Sequence, residues 1–215
     1  MSDTKLKLEK VNITLDSKVV LDNVNLEVID GDIVSLMGSS ASGKTSLIRS
    51  IAGFHNITSG SIYIDEKIVD DSKKREDVSK RNVGVIFQDL ALFPHLTVRE
   101  NICFGLNTLS KKQQFERAGK LEEILNIVDI KHRYPDQISG GQQQRVAIAR
   151  AIAPGPKLLL LDEPFSALDY ELKEGLMNDI KKLIKSEKIT AILITHSAEE
   201  AFKMSDKIAF ISENT

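Results

Sequence analysis

Gly38-Ser-Ser-Ala-Ser-Gly-Lys-Thr45, preceded by Ile33-Val-Ser-Leu-Met37 and followed by Leu47, Ile48, Ile51 and Ala52 at helical spacing, decides how the chain is read. An apolar run, a glycine-bounded loop and a helix, in that order, form the setting of a phosphate-binding P-loop. Backbone N–H groups of such a loop converge on phosphate oxygens, and the helix N-terminus adds partial positive charge. Gly38, Ser39, Ser40, Ala41, Ser42 and Gly43 would supply that cradle. Lys44 would reach the β- and γ-phosphates as a point charge, and the Thr45 hydroxyl would hold Mg²⁺. A Gly/Ser-rich turn meets the fixed positions by chance in roughly one chain of this length in a hundred, and the flanks lower that further.

With 215 residues the chain can bury a full core, as one domain or two small lobes. A formal charge of −2 gives no global electrostatic case for a nucleic-acid partner, and none is expected. The single cysteine, Cys103, excludes an intramolecular disulfide and fits a reducing compartment. It sits in Ile102-Cys103-Phe104, where a packed thiol is expected rather than a reactive one. No apolar run approaches the roughly 20 residues that span a bilayer. Met1-Ser-Asp-Thr-Lys-Leu-Lys7 lacks a signal-peptide apolar region. The expectation is a soluble intracellular protein, still able to dock on a membrane protein.

Leu6, Leu8, Val11, Ile13 and Leu15, then Val24, Leu26 and Val28, alternate with polar positions and predict strands. Asp30-Gly31 marks a turn into the strand that feeds the P-loop, and Ser59-Gly60 opens another alternating strand. Residues 71–81 are charge-rich and read as a solvated connection, with a buried strand expected over 83–87. From about 90 to 155 the texture is helical. Phe115, Ala118, Leu121, Ile124, Leu125 and Val128 share one helical face, weakened at Gly119. Leu158-Leu-Leu-Leu161 suits a central parallel strand, and Leu168 to Leu183 predicts a helix. Ala191–Ile194 and Ile208–Ile211 supply two more strands. The alternation indicates an α/β core with a helical sublobe.

Asp162-Glu163 sits at the C-terminal end of the predicted central strand, where open α/β sheets place ligands. Adjacent buried carboxylates repel unless a cation is present. With Mg²⁺, Asp162 can serve the metal shell while Glu163 polarises an attacking water. Taken alone, two solvated strand-end acids are an equal reading. Ile138-Ser-Gly-Gly-Gln142 precedes a helix pattern through Val146, Ala149 and Ile152. Ser139 can cap that helix, and the glycines leave N–H groups open to an anion. An ordinary capped turn is the plainer reading of that segment by itself.

These motifs together resemble the ATP-binding-cassette ATPases over essentially the whole chain. The likeness comprises a Walker A loop (Gly38 to Thr45), a Q-loop (Gln88), a signature (Ile138 to Gln142) and a Walker B strand (Leu158 to Glu163). A D-loop (Ser166 to Asp169) and a switch histidine (His196) follow in order. The resemblance implies a P-loop NTPase core with an N-terminal antiparallel β subdomain (1–87 with 156–215) and a helical sublobe (88–155) in one nucleotide-binding domain. It implies ATP and Mg²⁺ as ligands and a head-to-tail homodimer. In that dimer Ser139, Gly140, Gly141 and Gln142 of one subunit meet the nucleotide held by the other. Glu163 would be the general base, Asp162 a metal-shell residue, and Gln88 a contact to Mg²⁺ and the attacking water. His196 would touch the γ-phosphate, and Asp169 would link the two sites. Ser166-x-x-Asp169 is also a capping box, and so is Ser197-x-x-Glu200 beside a strand-end His196.

The segment Ala91 to Asn101 is similar to importer ATPases of the iron, polyamine, sulfate and sugar type. That likeness implies transmembrane permease partners, an upstream solute-binding protein and a place at the cytoplasmic face of the membrane. A cassette ATPase acting on nucleic acid or a large assembly, or one driving lipid or lipoprotein export, remains the alternative. The chain departs from the family pattern at Ala41, Ile138 and Ser197, and the sequence given leaves no room for a C-terminal regulatory domain. Leu15 stands where an aromatic usually stacks on adenine. A leucine offers no π-face, and stacking contributes about 1–3 kcal/mol. Leu15→Tyr is therefore expected to tighten ATP binding about tenfold, measured by titration calorimetry.

Overall fold

The computed structural model describes residues 3–39, 42–166, 168 and 170–211, with the backbone alone at 170–172. In chain order the elements begin β1 (Thr4–Leu15), β2 (Lys18–Ile29), β3 (Ile33–Met37), α1 (Lys44–Ala52), β4 (Ser59–Ile64), β5 (Lys67–Asp70) and β6 (Val83–Ile86). They continue with α2 (Val98–Cys103), α3 (Lys111–Ile124), α4 (Gly140–Ile152), β7 (Leu158–Asp162), α5 (Tyr170–Ser186), β8 (Thr190–Ile194), α6 (Ala198–Met204) and β9 (Lys207–Phe210).

Two sheets result. The alternating N-terminal strands form an antiparallel sheet in the order β2-β1-β4-β5, with Leu6, Leu8, Val11, Ile13, Ile62 and Ile64 buried on its inner face. The unbroken apolar runs form a parallel sheet in the order β6-β7-β8-β3-β9. Every residue of β7 and β8 is buried. Their side chains alternate between two cores, which is why polar residues occur only at the strand ends, as Asp162 and Thr190. Leu159, Leu161, Ala191 and Leu193 pack with the helices α2 to α5. Leu158, Leu160, Ile192 and Ile194 pack with α1 and the antiparallel sheet. Burying one such aliphatic side chain contributes about 1.5–3 kcal/mol, so the two-sided sheet carries much of the hydrophobic stabilisation.

The structure departs from the sequence reading in three places. Residues 71–81 are not wholly solvated: Arg81 is buried, donating to the carbonyls of Ser50 (2.8 Å) and Ile51 (2.9 Å) in the last turn of α1. It also donates to Val69 O and to the buried Asp70 carboxylate at 3.3 Å. A charge run conceals this residue, because one cation in it caps a helix C-terminus while the rest face water. Second, α3 ends at Ile124, and of its predicted face only Ala118, Leu121 and Leu125 are buried; Phe115, Ile124 and Val128 remain exposed. Third, α5 begins at Tyr170, two residues after Leu168, and the Ser166 hydroxyl donates to Glu163 O at 3.0 Å. Cys103 packs as expected, its Sγ 3.7 Å from Gln114 O.

Gly119 lies inside α3, and a Cβ added there meets nothing within 4 Å. Gly119→Ala should stabilise the fold by about 0.5–1 kcal/mol, read as a melting temperature higher by about 2–4 °C.

Candidate active site

Strand register assembles the candidate residues at one edge of the parallel sheet. Ile86 pairs with Leu161, Leu161 with Leu193, and Leu193 with Ser35; one step further, Asp162 pairs with Ile194 and Ile194 with Leu36. The chain leaving each strand at that level carries Gln88, Glu163, His196 and Gly38 respectively. Residues far apart in sequence thus meet at the carboxyl ends of adjacent strands.

At Gly38 an added Cβ would stand 2.4 Å from Ile211 O, so no larger residue fits this close approach. Gly43 has φ 86 and starts α1 as its N-cap, with Val20 and Leu21 against it. Lys44 is buried, and its ammonium donates to Gly38 O (3.0 Å), Ser39 O (2.6 Å) and Ser42 Oγ (3.0 Å). Burial pulls its pKa below the ordinary lysine value, and the Glu163 and Asp162 carboxylates oppose that shift. Gly38, Ser42, Gly43, Lys44 and Thr45 line a cavity of about 250 Å³ together with Val20, Ser46, Glu163, Ile194 and His196. Ser40, Ala41 and Asp169 lie outside the described residues.

Thr45 also lines a second cavity, of about 620 Å³, with Asp162, Gln88, Asp89, Arg49, Phe54, His55 and Phe87. The Thr45 hydroxyl donates to Asp162 Oδ1 at 3.2 Å. Asp162 is 5% exposed, and among the described residues no cation forms an ion pair with it, though Arg49 and Lys44 act on it at longer range. Burial is the largest influence on this carboxyl and raises its pKa; the Thr45 hydrogen bond opposes and Glu163 adds to the rise. A buried carboxylate without a cation, facing a hydroxyl and the amide of Gln88, is a hard-oxygen donor set that suits Mg²⁺. The fit is good: one carboxylate and two neutral oxygens leave room for phosphate oxygens and water.

Glu163 holds a left-handed backbone, φ 47, with its N–H bonded to Ile194 O at 3.1 Å. For a residue with a Cβ this conformation costs about 1–3 kcal/mol, and it turns the carboxylate toward His196, whose Nδ1 is 3.5 Å from Glu163 Oε2. His196 itself is exposed, and its loop is held from below. The Ser197 N–H donates to the buried Thr195 Oγ1 at 3.0 Å, and that hydroxyl bonds the buried Glu200 carboxylate. Glu200 also accepts from Lys173 on α5 at 2.7 Å. Ser197 caps α6, but the capping box stays open because Glu200 is taken up by these partners.

Ser139 caps α4 in a closed box: its Oγ accepts from Gln142 N–H (3.3 Å), and Gln142 Oε1 accepts from Ser139 N–H (3.0 Å). Ser139, Gly140, Gly141 and Gln142 line neither cavity. Leu15, at the end of β1, is half-buried against the inner core and also lines neither; Val20 on β2 is the aliphatic residue beside the loop. Val20, Arg49, Phe54 and His55 were not among the predicted site residues, since only the hairpin and α1 with its exit bring them there, and Ser46 and Phe87 adjoin Thr45 and Gln88.

A family model described as ABC transporter matches residues 21–166. The spermidine/putrescine import ATP-binding protein PotA of Bacillus cereus is 40% identical over 210 residues, covering 97% of this chain and 63% of that protein. The Fe(3+) ions import ATP-binding protein FbpC of Fusobacterium nucleatum is also 40% identical over 210 residues, with 97% and 56% covered. PotA of Roseobacter denitrificans is 44% identical over 194 residues, with 89% and 52% covered. The chain therefore spans about half to two thirds of the length of these curated relatives. A dimeric post-hydrolysis structure of the ATP-binding cassette MJ0796, bound to ADP and Pi, superimposes with a TM-score of 0.85 at 32% identity, covering 97% of this chain and 94% of that one.

The electrostatics of Asp162 generate a pH prediction. A carboxyl whose pKa is raised on folding favours the folded state while protonated, and that contribution is lost as pH rises through the folded value. Ionised Asp162 therefore opposes folding at neutral pH, and a bound divalent cation relieves the opposition. Mg²⁺ should raise the melting temperature more at about pH 7.5 than at about pH 5. Asp162→Asn should abolish that response and, without metal, melt above the parent at neutral pH, as scanning calorimetry would report.

Proposed function

The chain belongs to the ABC transporter family, and on that premise we propose that it is the ATP-binding, ATP-hydrolysing motor of a solute importer. In this reading it works as a head-to-tail homodimer docked on transmembrane permease subunits at the cytoplasmic face, downstream of a solute-binding protein. One spatial observation carries the proposal. Lys44, Thr45, Asp162, Glu163, Gln88 and His196 gather around two adjoining cavities, while the helix start at Ser139, Gly140 and Gly141 lines neither. A second copy, turned head to tail, supplies those N–H groups to the far side of a nucleotide.

In the proposed reaction Lys44 exchanges hydrogen bonds to its own loop for phosphate oxygens, keeping its charge neutralised. Thr45, Asp162 and Gln88 would hold Mg²⁺, which would offset the phosphate charge. Glu163 takes the proton of the attacking water, and its left-handed backbone aims it there. His196, close to Glu163 and carried on a loop braced by Thr195 and Glu200, holds the γ-phosphate side of the water. Ser40, Ala41 and Asp169 keep the roles the resemblance implies. Residues 88–155 act as the helical sublobe against a core formed by 1–87 and 156–215. Phe54 and Phe87, with ring centroids 5.6 Å apart, wall the larger cavity beside Gln88, and the permease would dock on the helical sublobe and the Gln88 segment. Relatives named for a polyamine and for ferric ion match this chain equally well, so the proposal assigns cargo choice to the other subunits.

Glu163→Gln should bind ATP, lose about 100-fold or more in turnover, and accumulate dimers on adding ATP, seen by size exclusion with light scattering. Turnover within a few-fold of the parent would overturn the base assignment. Lys44→Ala should lose nucleotide binding itself.

A further inference from the structure

Gln88 is exposed, so its position is set by the backbone that carries it. Phe87 O accepts from Leu90 N–H at 3.0 Å, placing Gln88 and Asp89 at the corner of one turn. Asp89 O then accepts from Ala91 N–H at 2.6 Å, closing a tighter turn over Leu90. Leu90 (φ 56) and Ala91 (φ 45) are left-handed in succession, and neither is glycine or asparagine. Three-residue turns of this sign are rare and strained, and such backbone persists only where its surroundings hold it.

One side chain holds it here. Arg150, on the last turn of α4, donates from Nη1 to Ala91 O at 2.7 Å and from Nη2 to Leu90 O at 2.8 Å. Its guanidinium also lies over the Phe93 ring, 5.2 Å from the centroid. Beyond Phe93 the buried Asn101 closes the segment, accepting from Phe93 N–H at 2.9 Å and donating to Phe93 O and Leu96 O. The planar fork of Arg150 gives each carbonyl its own nitrogen in a fixed geometry while its face lies over Phe93, which the point charge of a lysine does not reproduce.

We propose that Arg150 is the positioning residue for Gln88: by gripping the carbonyls of Leu90 and Ala91 it holds their turn left-handed and fixes Gln88 beside Thr45 and Asp162. The proposal rests on the function proposed above, in which Gln88 serves Mg²⁺ and the attacking water. It also gives α4 a second task. The helix that starts at Ser139 ends on the carbonyls of the Gln88 loop, so a displacement of its first turn by a partner subunit reaches that loop through the guanidinium.

The test is Mg²⁺-dependent ATP hydrolysis by Arg150→Met, Arg150→Lys, the double variant Leu90→Gly/Ala91→Gly, and the combination of Arg150→Met with both glycines. Arg150→Met should raise the Mg²⁺ needed for half-maximal turnover about tenfold and lower kcat, leaving the KM for ATP at saturating Mg²⁺ within about twofold. Arg150→Lys should resemble Arg150→Met. Glycines tolerate the left-handed turn unaided, so adding them to Arg150→Met should bring the Mg²⁺ requirement back to within about twofold of the glycine double variant. Glycines added to a merely destabilised fold would worsen it, which thermal melts of all four variants would register. A parental Mg²⁺ requirement in Arg150→Met, or a defect the glycines fail to relieve, overturns the assignment. A parent chain with no Mg²⁺-dependent hydrolysis would overturn the function reading beneath it.

Discussion

The backbone ladder joining β7, β8 and β3 is the constraint from which the site follows. It sets Asp162, Ile194 and Leu36 in one row, so the next residues of three separate segments emerge together. A strand rises about 3.3 Å per residue. A one-residue slip of β7 against β8 would carry Glu163 out of reach of His196 and exchange the side chains facing the two cores. Aliphatic residues on both faces do not by themselves fix register, and for β3 against β8 and the segment entering β9 polar contacts at the strand ends do so. The Thr190 hydroxyl accepts from Gly31 N–H at 2.8 Å and donates to Asp30 at 3.1 Å, while Asp206 accepts from Ile33 N–H at 2.8 Å. Ser35 and Ser205 join across the same sheet by their hydroxyls. Each bond contributes modestly, about 0.5–1.5 kcal/mol, yet a slipped pairing would bury several of these groups unpaired at a higher cost.

What the sequence disclosed and what it hid divide along chain distance. The strand into Gly38, the helix from Lys44 and the strand Leu158–Asp162 were legible because their pattern lies in consecutive residues. The two parallel-strand runs, the Ser139 cap and the helix after Leu168 were legible for the same reason. The second cavity was not, because Arg49, Phe54 and His55 meet Phe87 and Gln88 only after α1 packs against the sheet. Arg81 was misplaced because composition averages over a segment, and one buried cation does not change the average. The face of α3 was read too wide, since period alone cannot say how much of a stripe finds a partner; Phe115 has Arg99 over its ring and otherwise faces water. Leu15 was aligned by counting along β1, and Val20, on the other strand of that hairpin, lines the cavity beside the loop.

Buried and half-buried charge in this molecule ties elements together. Arg81 joins the end of α1 to β5, Glu200 joins the His196 loop to α5, and Arg145 bridges Leu125 O and Asp179 at 2.9 and 3.0 Å. Each tether crosses a junction where a helix meets another layer. Removing one partner leaves the other desolvated, so these contacts resist opening more than their net contribution to stability suggests.

If Glu163 is the base, as proposed, its left-handed backbone places stability and activity in opposition at a single position. Glycine would relax that conformation and leave the strand pairing untouched, while erasing the carboxylate. Drift toward a sturdier fold therefore has an easy path at position 163, and its product would be a well-folded, catalytically silent cassette. Only selection on turnover itself holds an acidic side chain on so uncomfortable a hinge.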